Sequence, residues 1–183
     1  MIAVLSPAVA KEMAGIKIKE VIRLSPETDP IKLNGASAKK RAAHTIYVGG
    51  LYLQNKTHKL EEIIADNGPK RILLYCKTSS ISPKTFINSF AQGLAINNSP
   101  KVISSLKHEI ESFQSVWRLN PINQGDEIWI DYVPGEGTRV SINGDVKQTI
   151  LGNAFYIAFL RAWLGKYPVN KKLKEAMLDT ANI

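Results

Sequence analysis

The densest point of charge in the chain is Lys39-Lys40-Arg41. Three adjacent cations can hold a carboxylate or phosphate, meet an anionic surface, or lie solvated at a turn. The usual catalytic patterns are missing. His44, His58 and His108 lie far apart, none at i,i+4 from another and none beside a carboxylate pair, so zinc-ligand spacing is absent. There is no G-x-S-x-G and no Cys–His neighbourhood. Gly135-Glu-Gly137 lacks the third glycine, the lysine and the following helix of a phosphate loop, and reads as a hairpin turn. The single cysteine, Cys76, alternates within an apolar run and reads as a small core residue; alone it excludes a disulfide framework and a cysteine metal cluster. Glu61-Glu62 and Glu109/Glu111 fall on solvated helix faces. The basic cluster is not interleaved with aromatics and no recognition-helix pattern follows it, so nucleic acid is not expected. No metal or cofactor is implied.

The elements that must position these residues follow from length and pattern. A chain of 183 residues makes one ordinary domain and folds without staples. Hydrophobic residues at 44% and charged residues at 22% exclude a disordered chain. No apolar run approaches the ~20 residues of a membrane helix. Net charge is +8, and residues 1–60 hold 10 Lys/Arg against 4 Asp/Glu, so the excess sits in the N-terminal third. Met1–Ala10 is apolar, has no charged side chain and ends in Ala8-Val9-Ala10, like the close of a secretory signal; it lacks a positive n-region and is short. Two readings stand level for residues 1–14: the remnant of a signal peptide on a periplasmic or secreted protein, or the flexible terminus of a cytoplasmic one. Residues 15–183 form a single domain.

Residues 16–24 and 30–34 alternate as short strands, and 43–53 is a long β-rich run with Gly49-Gly50 inside it. A short helix at 58–66 stops at Asn67-Gly68-Pro69, and 70–77 reads as a buried strand. Ser82-Pro83 opens a helix over 83–97, and the apolar spacing from Val102 to Trp117 predicts a second. Strands at 126–133, 138–142 and 146–150 form a meander turned by Pro134–Gly137 and Asn143-Gly144. Helices at 154–164 and 170–180 close the chain. This order predicts an α+β fold, a mainly antiparallel sheet with helices packed on one face.

Leu33-Asn-Gly-Ala36, the basic stretch after it and Ile46-Tyr-Val-Gly-Gly-Leu-Tyr-Leu53 resemble the start of the chalcone isomerase fold, most like the bacterial chalcone isomerase-like proteins. The resemblance continues through Asn67-Gly-Pro-Lys-Arg-Ile72, Ile81-Ser-Pro-Lys84 and Asp131–Val140, and ends with Phe159–Gly165 and Pro168-Val169. It implies an open-faced β-sandwich with a ligand cleft between sheet and helices.

The plant enzymes of that family close a chalcone by attack of a phenolate on an enone, which needs a cation for the phenolate and donors for the developing enolate. Carried over, the family's arginine position falls on Lys39, with Lys40 and Arg41 adjacent; its threonine falls on Tyr47 and its tyrosine on Ile81. Its helix asparagine falls on Asn88, and its late-helix hydroxyl near Ala162. Lysine lacks the planar fork of arginine. Isoleucine and alanine donate nothing, so the resemblance implies a protein that does not isomerise chalcones. It also implies a fatty acid-like ligand, its carboxylate held by Lys39 or Arg41 with Tyr47, beside Ile81 and Asn88.

Three functions from different classes remain. The first is a non-catalytic binding protein for a small apolar or acidic ligand. The second is an isomerase or lyase of unknown substrate, and the third a basic module touching membrane or nucleic acid through its N-terminal third.

Overall fold

The computed structural model describes residues 10–79 and 82–180. The signal-like stretch 1–9 and Ile81 lie outside the described residues.

Seven strands form one antiparallel sheet in chain order: β3 (Val21–Ile22), β4 (Ile31–Arg41), β5 (His44–Leu53), β6 (Lys70–Cys76), β7 (Glu127–Val133), β8 (Gly137–Ile142) and β9 (Asp145–Leu151). Neighbours in the sheet are neighbours in sequence. Among the described residues four helices interrupt the meander, α1 (Leu60–Ala65), α2 (Pro83–Asn97), α3 (Pro100–Ser105) and α4 (Lys107–Leu119), and two follow it, α5 (Ala154–Leu164) and α6 (Lys171–Met177). A separate hairpin, β1 (Ala10–Met13) and β2 (Ile16–Lys19), starts the described chain.

The sheet is covered on both faces, which explains why β6 reads as a continuous apolar run. Its Ile72, Leu74 and Cys76 join Leu51, Leu53, Ile128 and Ile130 in the core under the helices. Leu73 faces the other way, where Val48, Tyr52 and Ile18 of the β1–β2 hairpin form a smaller core. On that far face Arg71 grips Asp131 with two bonds (2.6 and 2.8 Å), and Arg139 adds a third charge 3.7 Å from the same carboxylate.

The helices begin where local chemistry dictates. Ser82 accepts from the Thr85 N–H at 3.1 Å and Pro83 follows it; Ser99 caps α3 through Val102, and Asn170 caps α6 through Leu173. Helix α5 is apolar on nearly every side and is wedged between the sheet and α2, with Phe155 and Phe159 against Phe90 and Phe113 at centroid distances of 5.4–6.4 Å.

The structure differs from the sequence reading in four places. The strand expected over 16–24 is two, β2 and β3, which belong to different sheets. The expected helix over 102–117 is two, because Leu106 leaves helical geometry (φ −104, ψ 18) between α3 and α4. Residues 10–13, inside the segment read as a leader or flexible end, pair with β2. The strand expected over 30–34 runs on to Arg41, so the basic triplet closes a strand rather than forming a loop.

Two motif residues turn out to be structural. The Asn34 amide, 5% exposed, donates to the Thr57 and Met177 carbonyls (3.0 and 2.7 Å) and accepts from the Thr57 N–H at 2.9 Å. Beside it, a methyl added at Gly35 would overlap the Ala176 carbonyl oxygen. Together they let α6 lie directly on β4.

Candidate ligand cavity

The register of β4, β5 and β6 builds the site. Lys39 lies directly opposite Tyr47, and Tyr47 opposite Cys76. Directly paired antiparallel residues project to the same face, and Tyr47 packs against the helix-side core that holds Cys76. A register shift falls between Lys39 and Lys40: Lys39 pairs with Tyr47 but Lys40 with Thr45, leaving Ile46 unmatched. Such a bulge twists the strand and re-aims side chains. The result is that Lys39, Lys40, Arg41, Ile46 and Tyr47 all border one cavity of about 480 Å³. Helix α2 supplies Thr85, Phe86, Ser89 and Phe90 as the opposite wall, with Trp163 of α5 and Val169 beyond it. That volume suits a small molecule with a substantial apolar part.

The charged groups all come from the end of β4. Lys39 is half-buried, whereas Lys40 and Arg41 are exposed at the rim. None of the three is ion-paired among the described residues, and no carboxylate or imidazole lines the cavity there. Burial, with a smaller contribution from neighbouring Cys76, pushes the Tyr47 phenol up to about 12. It is therefore a neutral hydroxyl at physiological pH, and it has no hydrogen-bond partner among the described residues. Burial likewise raises the Cys76 thiol to about 12, with Asp126 adding to it, so the thiolate needed for nucleophilic chemistry is not formed.

The sequence-derived positions distribute as follows. Lys39, Arg41 and Tyr47 border the cavity. Asn88 is exposed on α2 and does not line it; the next residue, Ser89, does. Ala162 is fully buried, and again the next residue, Trp163, faces the space. Thr85, Phe86, Ser89 and Phe90 were not singled out as site residues. Their i, i+1, i+4, i+5 spacing on a capped helix is the signal that places them on one stripe.

A larger depression of about 650 Å³ lies on the far face, bordered by Ile18, Tyr52, Arg71 and Trp129. Its buried arginine is already neutralised by Asp131 and stacked on Trp129, with the guanidinium carbon 4.1 Å from the ring centroid. Lys17, Lys19 and Arg23 also border this depression without an ion-pair partner among the described residues, but Glu127 shares its lining, whereas no carboxylate lines the helix-side cavity. No group of metal-binding side chains occurs among the described residues, and no described helix is long and apolar enough to cross a membrane.

No curated protein matches this chain. Among solved structures it is similar to a fatty-acid binding protein of Arabidopsis thaliana: the TM-score is 0.69 at 17% sequence identity, over 96% of this chain and 97% of that one. At that identity the likeness is one of fold. The model of the chalcone isomerase-like family matches residues 10–179, nearly the whole chain. The sheet order, the helices on one face and this match agree, and the chain belongs to the chalcone isomerase-like family.

Proposed function

We propose that this protein is a non-catalytic binder of amphipathic carboxylates, fatty acid-like in shape, held between sheet and helices. One observation carries the reading: three unpaired cations and an unpartnered phenol on β4 and β5 border one cavity whose other wall carries Phe86, Phe90 and Trp163. The acyl chain lies along Phe86, Phe90 and Trp163, and its carboxylate sits at Lys39 with the Tyr47 hydroxyl donating to it. Lys40 and Arg41 add attraction from the rim. The structural resemblance to a fatty-acid binding protein supports the same assignment. Against turnover stands the absence, among the described lining residues, of a carboxylate or imidazole to move a proton, beside a phenol and a thiol held neutral.

Native mass spectrometry of the purified protein, followed by solvent extraction, tests the assignment. The expected result is a co-purifying aliphatic acid, and stoichiometric binding of added long-chain acids to the emptied protein. Binding of the matching alcohols as tightly as the acids would remove the anion site from the proposal. Turnover of a 2′-hydroxychalcone far above buffer would overturn the non-catalytic part.

A further inference from the structure

Ligand binding alone does not require the charge pattern of the cavity's walls. The lining residues come from three stretches of chain, 30–60, 67–108 and 146–174. These stretches hold 18 of the 24 lysines and arginines and none of the 16 acids. The carboxylates are confined to residues 12–29, 61–66, 109–145 and 175–179. Bases and acids are thus separated along the chain, and the bases that border the cavity, Lys39, Lys40 and Arg41, carry no paired acid among the described residues; such an uncompensated cluster steers the molecule toward an anionic partner.

Two exposed segments adjoin the cavity's lining. One is the β4–β5 hairpin tip, with Lys40 and Arg41. The other runs from the end of α5 into α6, reaches the cavity at Val169, and carries Lys166, Lys171 and Lys172, all exposed; Lys171 lies 3.8 Å from Glu175, while Lys166 and Lys172 have no ion-pair partner among the described residues. Between these lysines stand Tyr167 and Val169, 55% and 37% exposed, and Val169 also lines the cavity. The segment is held firmly. The Asn97 amide donates to the Tyr167 carbonyl at 2.8 Å and accepts from its N–H at 2.9 Å, and Lys174 donates to the Gly165 carbonyl at 2.8 Å. A rigid loop that presents an aromatic and a valine among lysines suits the boundary between lipid headgroups and acyl chains.

We propose that the cavity rim docks on a bilayer containing anionic phospholipid, with the hairpin tip and the 166–172 segment as its two contacts. The proposal rests on the reading of the cavity as an acyl-chain site, because docking places its mouth where amphipathic acids partition. A nucleic acid would satisfy the lysines and could stack on Tyr167, but would leave Val169 and the apolar mouth without a role.

Co-sedimentation with unilamellar vesicles tests it, using phosphatidylcholine alone and phosphatidylcholine with phosphatidylglycerol. Binding is expected only to the anionic vesicles and weakens with salt. The combined change Lys166→Ser, Lys171→Ser, Lys172→Ser, at residues that do not line the cavity, should lower vesicle partition about 100-fold, from about fivefold per basic residue at the surface. It should leave the affinity for a soluble acid such as octanoate unchanged. Removing the same charge from the opposite face, Lys11→Ser, Lys17→Ser, Lys19→Ser, should have far less effect. Tyr167→Ser should weaken the binding that remains at high salt, and decides the matter should the triple variant fail to fold. Equal binding to neutral vesicles, equal losses from the two triple variants, or full competition by a single-stranded oligonucleotide would overturn the docking. Loss of octanoate binding with docking intact would instead sink the cavity reading, so the two failures are distinguishable.

Discussion

Replacing Lys39 by methionine keeps the unbranched apolar stem of the side chain and removes its terminal ammonium group. Lys39 is half-buried, stands directly across the β4–β5 ladder from Tyr47, and has no counter-ion among the described residues. A charge-assisted hydrogen bond in such a partly desolvated place is worth about 1.5–3 kcal/mol, or roughly 10- to 150-fold in affinity. Lys40 and Arg41 are exposed, so each should contribute closer to the ~0.2–1 kcal/mol of a surface ion pair. The assay is isothermal titration of the lipid-free protein with laurate and with dodecanol, which share the chain and differ in the headgroup. Lys39→Met should weaken laurate by about 10- to 150-fold and leave dodecanol within about twofold, the comparison isolating the carboxylate contact as a double-mutant cycle does. Laurate binding should also fall as pH drops through the ligand's own carboxyl range, about 4 to 5. An equal loss for acid and alcohol would show that residue 39 acts through packing; no loss for the acid would place the carboxylate elsewhere and refute the assignment.

Three further outcomes follow from the same geometry. Because burial holds Tyr47 and Cys76 neutral with pKa values raised from 10.0 and 9.0 to about 12, stability should be level below about pH 9. It should fall as pH climbs toward 12, since the unfolded chain releases those protons first; the Cys76 share is at most about 4 kcal/mol. Cys76→Ala should make that alkaline decline shallower, the buried tyrosines Tyr47, Tyr52 and Tyr156 sustaining the rest, in denaturant titrations run across the pH range, and an unchanged decline would count against it. Asp131→Ala strands Arg71 and Arg139 on the buried far face and should cost about 3–5 kcal/mol in chemical unfolding, with ligand affinity per folded molecule unchanged. Gly35→Ala drives a methyl into the Ala176 carbonyl and should cost at least ~1–3 kcal/mol and loosen α6, read as lost amide protection at residues 171–177; native stability would show that β4 and α6 separate freely.

Much of this architecture is written in neighbouring residues. Ser82-Pro83 starts α2 and Asn143-Gly144 (φ 54 and 87) turns β8 into β9, because capping oxygens and left-handed backbone act within a few residues of chain. The resemblance around Leu33–Leu53 reached the family for a similar reason, since close packing of Asn34 and Gly35 on α6 restricts those positions to a few residue types. Other features could not be read so. Gly35 to Arg41 has little intrinsic preference for a strand, and extends as one because β5 supplies its hydrogen bonds. Helix 102–117 breaks at Leu106 although its apolar spacing is unbroken.

The order of elements, the basic triplet and the lack of a catalytic motif are thus properties of the sequence itself, carried by local backbone chemistry and composition. That Lys39 faces Tyr47, that Ser89 rather than Asn88 borders the cavity, and that Trp163 and Val169 reach the same space as Lys39 were decided only by the fold. Strand register, a one-residue bulge and the rotation of α2 about its axis depend on contacts between residues distant in the chain, and no spacing along it encodes them.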